Sequence, residues 1–288
     1  MKIGIIGAGR LGSAFGLYMA RHGAEEVGYY SRTQASAREA VSLIGEVGRV
    51  YEDVAVLIRE SDWIVLTVPD DAIPAVVRLL AVEGEWEGKL VFHMSGAASS
   101  DVLLPIKQAG AYTASLHPLQ SFADGRSGAD KLATSVFGIE GEEVAITMLK
   151  EWLEITGNRY LVITAAQKPL YHAAAAVVSN SLTGVVDFAL RLLQTAEIEE
   201  QLALSALYPL LEGTVQNIRE RGVAEALTGP IARGDIGTVV RHMEAIANQA
   251  PQLLEDYQAL GRLTLSTACR SQLRDPQRIA HLQELLNE

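Results

Sequence analysis

The segment Ile3–Gly12 leaves this chain few options, because an apolar run breaks directly into Gly7-x-Gly9-x-x-Gly12. Ile3, Ile5 and Ile6 read as a strand buried on both faces. Leu11, Phe15 and Tyr18 then recur at helical spacing, and Gly23 ends the helix. Between a strand and a helix these glycines have a mechanism. Gly7 permits a tight turn, Gly9 lets backbone approach a pyrophosphate, and Gly12 lets the helix close on the strand. A phosphate there would meet the unpaired amides at the positive end of the helix, those of Arg10 and Leu11 among them.

The same alternation continues for half the chain. Strands are expected near 2–6, 26–30, 63–68, 89–94, 112–116, 135–139 and 160–164, with helices near 10–22, 35–44, 53–60, 71–82, 99–109 and 142–156. Crossover units of this kind build a doubly wound, mostly parallel α/β sheet of the Rossmann type. After residue 164 the strand signals stop. Helices are expected near 169–195, 199–220, 235–248, 251–270 and 276–287, with Asp235 and Asp275 as N-caps and Pro209 kinking or splitting the second. The organisation is thus a dinucleotide-binding domain over 1–164 and an all-helical domain over 165–288.

The end of the second strand reads Ser31-Arg32-Thr33, without the carboxylate that usually holds the ribose 2′-hydroxyl of NAD. Hydroxyls and a guanidinium suit a 2′-phosphate, which points to NADP, with Arg10 close enough in sequence to help. An ordinary solvated surface arginine is the alternative for Arg32. Val68 and Pro69 follow another strand and are expected to line the cofactor site, while Asp70 or Asp71 caps the next helix.

Three polar clusters lie outside the glycine loop. Ser95-Gly96 leaves the buried strand Leu90–Met94 at its carboxyl end and would border a nicotinamide; a plain turn is the alternative, and His93 reads as a satisfied interior histidine. His117-Pro118 follows the next strand, with Gln120 and Ser121 nearby; it is a functional loop or a structural one. On the helix from Pro169, apolar all round and so expected to be buried, His172, Ser179 and Thr183 share a stripe flanked by Asn180 and Asp187. Burying such groups unpartnered costs a few kcal/mol each, so a wet cleft or a ligand is expected beside them. Lys168, preceding a proline, is expected just before that helix. Thr228 and Arg233 sit in a turn-rich segment that could complete a substrate site, although an N-capping Asp235 explains part of it.

Composition narrows the function classes. The net charge of −11, with no basic cluster to offset it, argues against nucleic acid. One cysteine, Cys269, rules out an intrachain disulfide and a multi-cysteine metal site, and no metal is expected. The uncharged stretch Ala173–Val186 is shorter than the ~20 residues of a membrane helix, and no leader precedes the strand at Lys2, so a cytoplasmic protein is expected.

Gly7–Gly12, His93-x-Ser95-Gly96, His117-Pro118-Leu119, Tyr171-His172-Ala173-Ala174, Asn180 and Leu227-Thr228-Gly229-Pro230 together resemble a bacterial family in which a Rossmann-like domain joins a helical domain of unknown function. That family is similar to pyrroline-5-carboxylate reductase, prephenate dehydrogenase and other members of the β-hydroxyacid-dehydrogenase-like superfamily. The resemblance implies an NADP oxidoreductase, its active site between the domains, and a homodimer formed through the helical domain. In hydroxyisobutyrate-type relatives the reactive group is a lysine on the first interdomain helix. Here that helix offers His172 and Asn180, so lysine assistance is not expected. His172 is expected to handle the proton, with His117 as alternate acid. Asn180 and Ser95 would hold a small carbonyl or imine substrate, helped by Ser121, Ser179, Thr183, Thr228 and Arg233. The rival readings are a prephenate- or arogenate-dehydrogenase-like enzyme and a non-catalytic NADP sensor.

Overall fold

The computed structural model describes residues 1–122 and 124–287. The chain forms two compact units, 1–179 and 180–288, dividing within the helical run that the sequence assigns to the second domain.

The first unit alternates strictly: β1 Lys2–Ile6, α1 Arg10–Arg21, β2 Glu26–Tyr30, α2 Gln34–Ile44, β3 Gly48–Val50, α3 Val54–Glu60, β4 Trp63–Leu66, α4 Ile73–Leu80 and β5 Leu90–His93. It continues with α5 Leu104–Gln108, β6 Tyr112–Pro118, α6 Gly125–Leu132, β7 Val136–Gly141, α7 Glu143–Thr156, β8 Arg159–Val162 and α8 Lys168–Ala176. The eight strands lie in the order β3-β2-β1-β4-β5-β6-β7-β8. Every neighbouring pair is parallel except β6 and β7, where His117 faces Gly138 across an antiparallel ladder. The doubly wound, mostly parallel sheet expected from the sequence is therefore present.

Two cores cover its faces, as the two-residue period of each strand requires. Ile3, Ile5, Val65 and Phe92 pack with Phe15, Tyr18, Phe137 and Trp152 on one side. Ile6, Ile64, Leu66 and Val91 pack with Leu57, Val77, Trp86 and Ile106 on the other. Where α1 crosses β2 the approach is so close that a Cβ on Gly16 would overlap the Tyr29 hydroxyl. Gly16→Ala is expected to cost about 1–3 kcal/mol, the usual range for an extra carbon in a filled core, measurable by urea unfolding.

The second unit is helical: α9 Leu182–Thr195, α10 Glu200–Arg221, α11 Val223–Ala226, α12 Pro230–Arg233, α13 Ile236–Gln249, α14 Leu254–Ser271 and α15 Pro276–Leu285. Ile231, Val239, Leu265 and Leu282 form its main core. A smaller one joins Phe188 and Leu192 to Ile246 and Leu253. Asp235 and Asp275 cap their helices as expected, each accepting backbone amides. Pro209 does not split α10. The carbonyl it leaves unpaired belongs to exposed Ser205, where water can serve it.

Three expectations for the helix from Pro169 do not hold. The helical run Ala165–Thr195 is 31 residues, with mean hydropathy 1.5 over its most apolar 18, so it is long and apolar enough to cross a membrane. Moreover, none of that window is buried. Leu170 is 79% and Val178 73% exposed, and in the second unit Leu202, Leu204, Tyr208 and Leu210 of α10 are exposed as well. A π-helical turn at Val177–Ser181 also interrupts the 3.6-residue period, so the stripe from His172 to Thr183 does not carry through unchanged.

Candidate functional site

The loop between β1 and α1 is held from below and bare above. Gly7 takes φ +107°, its amide donates to the Tyr30 carbonyl at 2.9 Å, and its carbonyl accepts the Thr67 hydroxyl at 2.7 Å. The Tyr29 hydroxyl donates to the Gly12 carbonyl at 3.0 Å. A Cβ on Gly12 would overlap the Gly7 carbonyl oxygen, so α1 can lie this close only with glycine. Gly9, by contrast, has no residue beyond its chain neighbours within 4 Å of where its Cβ would be. It is the N-cap of α1, and no side chain caps it. The first-turn amides, Leu11 among them, therefore open onto unfilled space at the positive helix end, which fits a pyrophosphate. Arg10 is exposed beside it, whereas the Leu11 side chain turns to the core.

Ser31, Arg32 and Thr33 follow β2 on the neighbouring strand. Arg32 and Thr33 are exposed, and among the described residues Arg32 makes no ion pair. Val68 and Pro69 leave β4, the first half-buried and the second exposed. Asp70 and Asp71 form a 3₁₀ turn and make no cap, contrary to expectation, because α4 begins directly from that turn with Pro74 in its first positions.

A second cluster forms at the carboxyl ends of β5 and β6. His93 is fully buried and satisfied, with Nε2 on the Ser99 carbonyl and Nδ1 accepting the Ser95 amide. Burial, aided by the Lys168 charge, pushes its pKa down to about 4. The Ser95 hydroxyl accepts the Ala97 and Ala98 amides, so it serves the turn and retains only its own proton for a ligand. Over Gly96 two histidines meet. A Cβ there would stand 2.7 Å from Cδ2 of His172 and 2.8 Å from Nε2 of His117, and the two rings lie 6.3 Å apart at 71°. Burial, then the charges of Lys168 and His172, push His117 down to about 4, so at neutral pH it is an uncharged imidazole and no imidazolium acid.

Sequence reasoning missed two residues of this cluster. Lys168 is not ahead of the helix but is the first residue of α8 and is 1% exposed. Its ammonium donates to the Ser95 carbonyl at 2.9 Å and to the Ser115 hydroxyl. Burial lowers its pKa to about 8, against the attraction of Glu140 and Asp70. The overlooked signal was Thr164-x-x-Gln167, which forms a capping box and begins helical structure before Lys168. The other is Tyr171, whose hydroxyl lies 2.9 Å from Nδ1 of His117.

Ser121 is exposed in the loop after β6, its carbonyl accepting Lys131. Asn180, Thr183, Thr228 and Arg233 belong to the second unit. There Asn180, Thr183, Thr228 and Arg233 are exposed, and the Arg233 carbonyl accepts Arg278. Ser179, also exposed, ends the first unit.

Residues 1–118 match the family model of a Rossmann-like domain, and residues 135–264 match that of DUF2520, a domain of unknown function. A protein of Thermotoga maritima shares the fold with TM-score 0.70 and 25% identity, over 92% of this chain and 98% of its own. A protein of Bacteroides fragilis, provisionally named an NADP oxidoreductase, does so with TM-score 0.71 and 25% identity over the same shares. An imine reductase from Pseudomonas sp. has the same fold at TM-score 0.66 and 17% identity, over 98% of each chain. No curated protein matches the sequence. The chain thus carries a Rossmann-like domain followed by a DUF2520 domain, the pairing its motifs resemble.

Proposed function

We propose that this protein is an NADP-dependent oxidoreductase acting on a small carbonyl or imine, or on the corresponding alcohol or amine. One observation carries the reading. The bare phosphate loop after β1 and the His117–His172 pair over Gly96 share one carboxyl edge of the sheet. Three strand spacings, about 14 Å, separate β1 from β6 along it. Ligands of open parallel sheets bind along that edge. The provisional name of the Bacteroides fragilis protein agrees with it.

Gly7, Gly9, Arg10, Leu11 and Gly12 would hold the pyrophosphate, and Ser31, Arg32 and Thr33 the 2′-phosphate, with Val68 and Pro69 lining the cofactor. The bound coenzyme supplies the hydride. His172 handles the proton, Lys168 holds the Ser95 turn and Ser115 in place, and Ser95 and Asn180 hydrogen-bond the substrate. Ser121, Ser179, Thr183, Thr228 and Arg233 remain the proposed outer contacts. Arg32→Ala is expected to weaken NADPH by about ten- to a hundredfold, the worth of a hydrogen-bonded charge pair, and to leave NADH unchanged. Calorimetry with both coenzymes reads this, and no heat with either would overturn the reading. His172→Ala should cut turnover about a hundredfold or more while NADPH still binds. Binding without turnover across a carbonyl and imine panel would favour the sensor.

We also propose that the exposed apolar residues of the helical domain, on α9 and α10, are covered by a second copy of the chain. Asn180, Asp187 and Arg191 within the run count against a bilayer, where such groups are costly. Light scattering should give twice the 31.0 kDa chain mass, and the melting temperature should rise with protein concentration. A cytoplasmic setting goes with this reading, and Cys269 is a free thiol.

A further inference from the structure

We infer that Tyr171 locks neutral His117 in the tautomer whose proton is on Nε2, so that the site presents an N–H donor above Gly96 and selects a carbonyl oxygen over a protonated imine. The inference rests on the proposed function, since it names the substrate class of that same site.

The geometry is specific. The Tyr171 hydroxyl lies 2.9 Å from Nδ1 of His117 and 3.4 Å from the His117 carbonyl, so the ring nitrogen is the nearer partner. A phenol is a strong donor, and an imidazole nitrogen with a free lone pair is a strong acceptor. The hydroxyl proton therefore goes to Nδ1, and the 3.4 Å contact sits at the edge of hydrogen-bond distance. The hydroxyl is also boxed in, because a Cβ on Gly138, the residue opposite His117 in the ladder, would overlap it. Tyr171 is on α8 and His117 on β6, so the pair is fixed by two rigid elements. The ring proton is left for Nε2, the atom 2.8 Å from the Gly96 Cβ position, and among the described residues Nε2 has no hydrogen-bond partner.

An N–H donor can meet only an atom with a lone pair. A carbonyl oxygen has two, and negative charge developing on it strengthens the bond. A protonated imine has none at nitrogen and carries its own N–H, so it meets the donor head-on. The neighbouring Lys168 ammonium adds to that preference.

The test reads the tautomer directly. Protein carrying ¹⁵N-labelled histidine is studied at pH 7 by two-bond nitrogen–proton correlation, with His117→Gln assigning the signals. The expected pattern is a protonated Nε2 and a bare Nδ1 in the wild type, and averaging of both tautomers in Tyr171→Phe. A bare Nε2, or an imidazolium, would overturn the inference and turn the site toward donor-bearing substrates. An unchanged pattern in Tyr171→Phe would remove Tyr171 from the role. Melting curves and NADPH titration of each variant separate these outcomes from misfolding and from failure of the cofactor reading, because the tautomer is read without cofactor.

Discussion

Gly9→Val should leave the protein as stable as the wild type yet weaken NADPH binding by about a hundredfold or more, a loss of about 3 kcal/mol. The two halves have different causes. Gly9 has φ −78° and ψ −170°, extended backbone that valine adopts without strain. Beyond its chain neighbours no residue comes within 4 Å of the added Cβ, so that carbon meets nothing in the fold. Replacing glycine at such a position also restricts the unfolded chain, which favours folding slightly. The space the side chain takes is the space that a pyrophosphate needs to reach the α1 amides. Gly12→Ala is the contrast, because its Cβ would overlap the Gly7 carbonyl oxygen and stand 2.5 Å from the Thr67 hydroxyl. Stability and affinity should then fall together. Thermal melts and NADPH titration of both variants decide the matter. Tight NADPH binding by a well-folded Gly9→Val protein would place the phosphates elsewhere.

That contrast also shows what the sequence could and could not reveal. β1, the glycine loop and α1 were legible because period-two apolar residues, glycine punctuation and 3.6-residue spacing are local signals. β3 was not, since Gly48–Val50 is three residues long and hydrogen-bonds to β2 at the sheet edge, with little apolar content to betray it. The bias against helix before proline puts Lys168 outside the helix, whereas the capping box that starts four residues earlier puts it inside. Tyr171 stands beside His172 in the sequence, but nothing local marks it for a role. Its partner His117 lies 54 residues away, and only the antiparallel β6–β7 pairing sets the strands against which α8 lays its hydroxyl. The apolar run after His172 reads as buried because composition reports that a surface must be covered and does not say by which chain.

Lys168 carries a large pH effect, and its sign is fixed by burial. The folded value of about 8 lies below the ordinary 10.5, so between those limits the unfolded chain binds more protons than the folded one. Stability then rises with pH. Below pH 8 the folded state carries the whole cost of an ammonium taken out of water, and above 10.5 it carries none. The span is about 3 kcal/mol, since each pKa unit is worth about 1.4. Tyr29, Tyr51 and Tyr171 work against this trend above pH 10, because burial raises their pKa values and folding there favours the protonated phenol. A wild-type curve alone would mix the two. Comparison with Lys168→Met isolates the lysine, as methionine keeps the length and apolarity of the side chain and removes only the titrating group. The stability difference between wild type and variant should grow in favour of the wild type by about 2 kcal/mol from pH 7.5 to pH 10. The same substitution should raise the pKa of His117 from about 4, since the Lys168 charge helps to hold it down. Denaturant unfolding at a series of pH values tests the first effect, and histidine NMR titration tests the second. Parallel stability curves would mean that the ammonium is solvated in the folded protein, and an unmoved His117 would mean that its field does not reach the site.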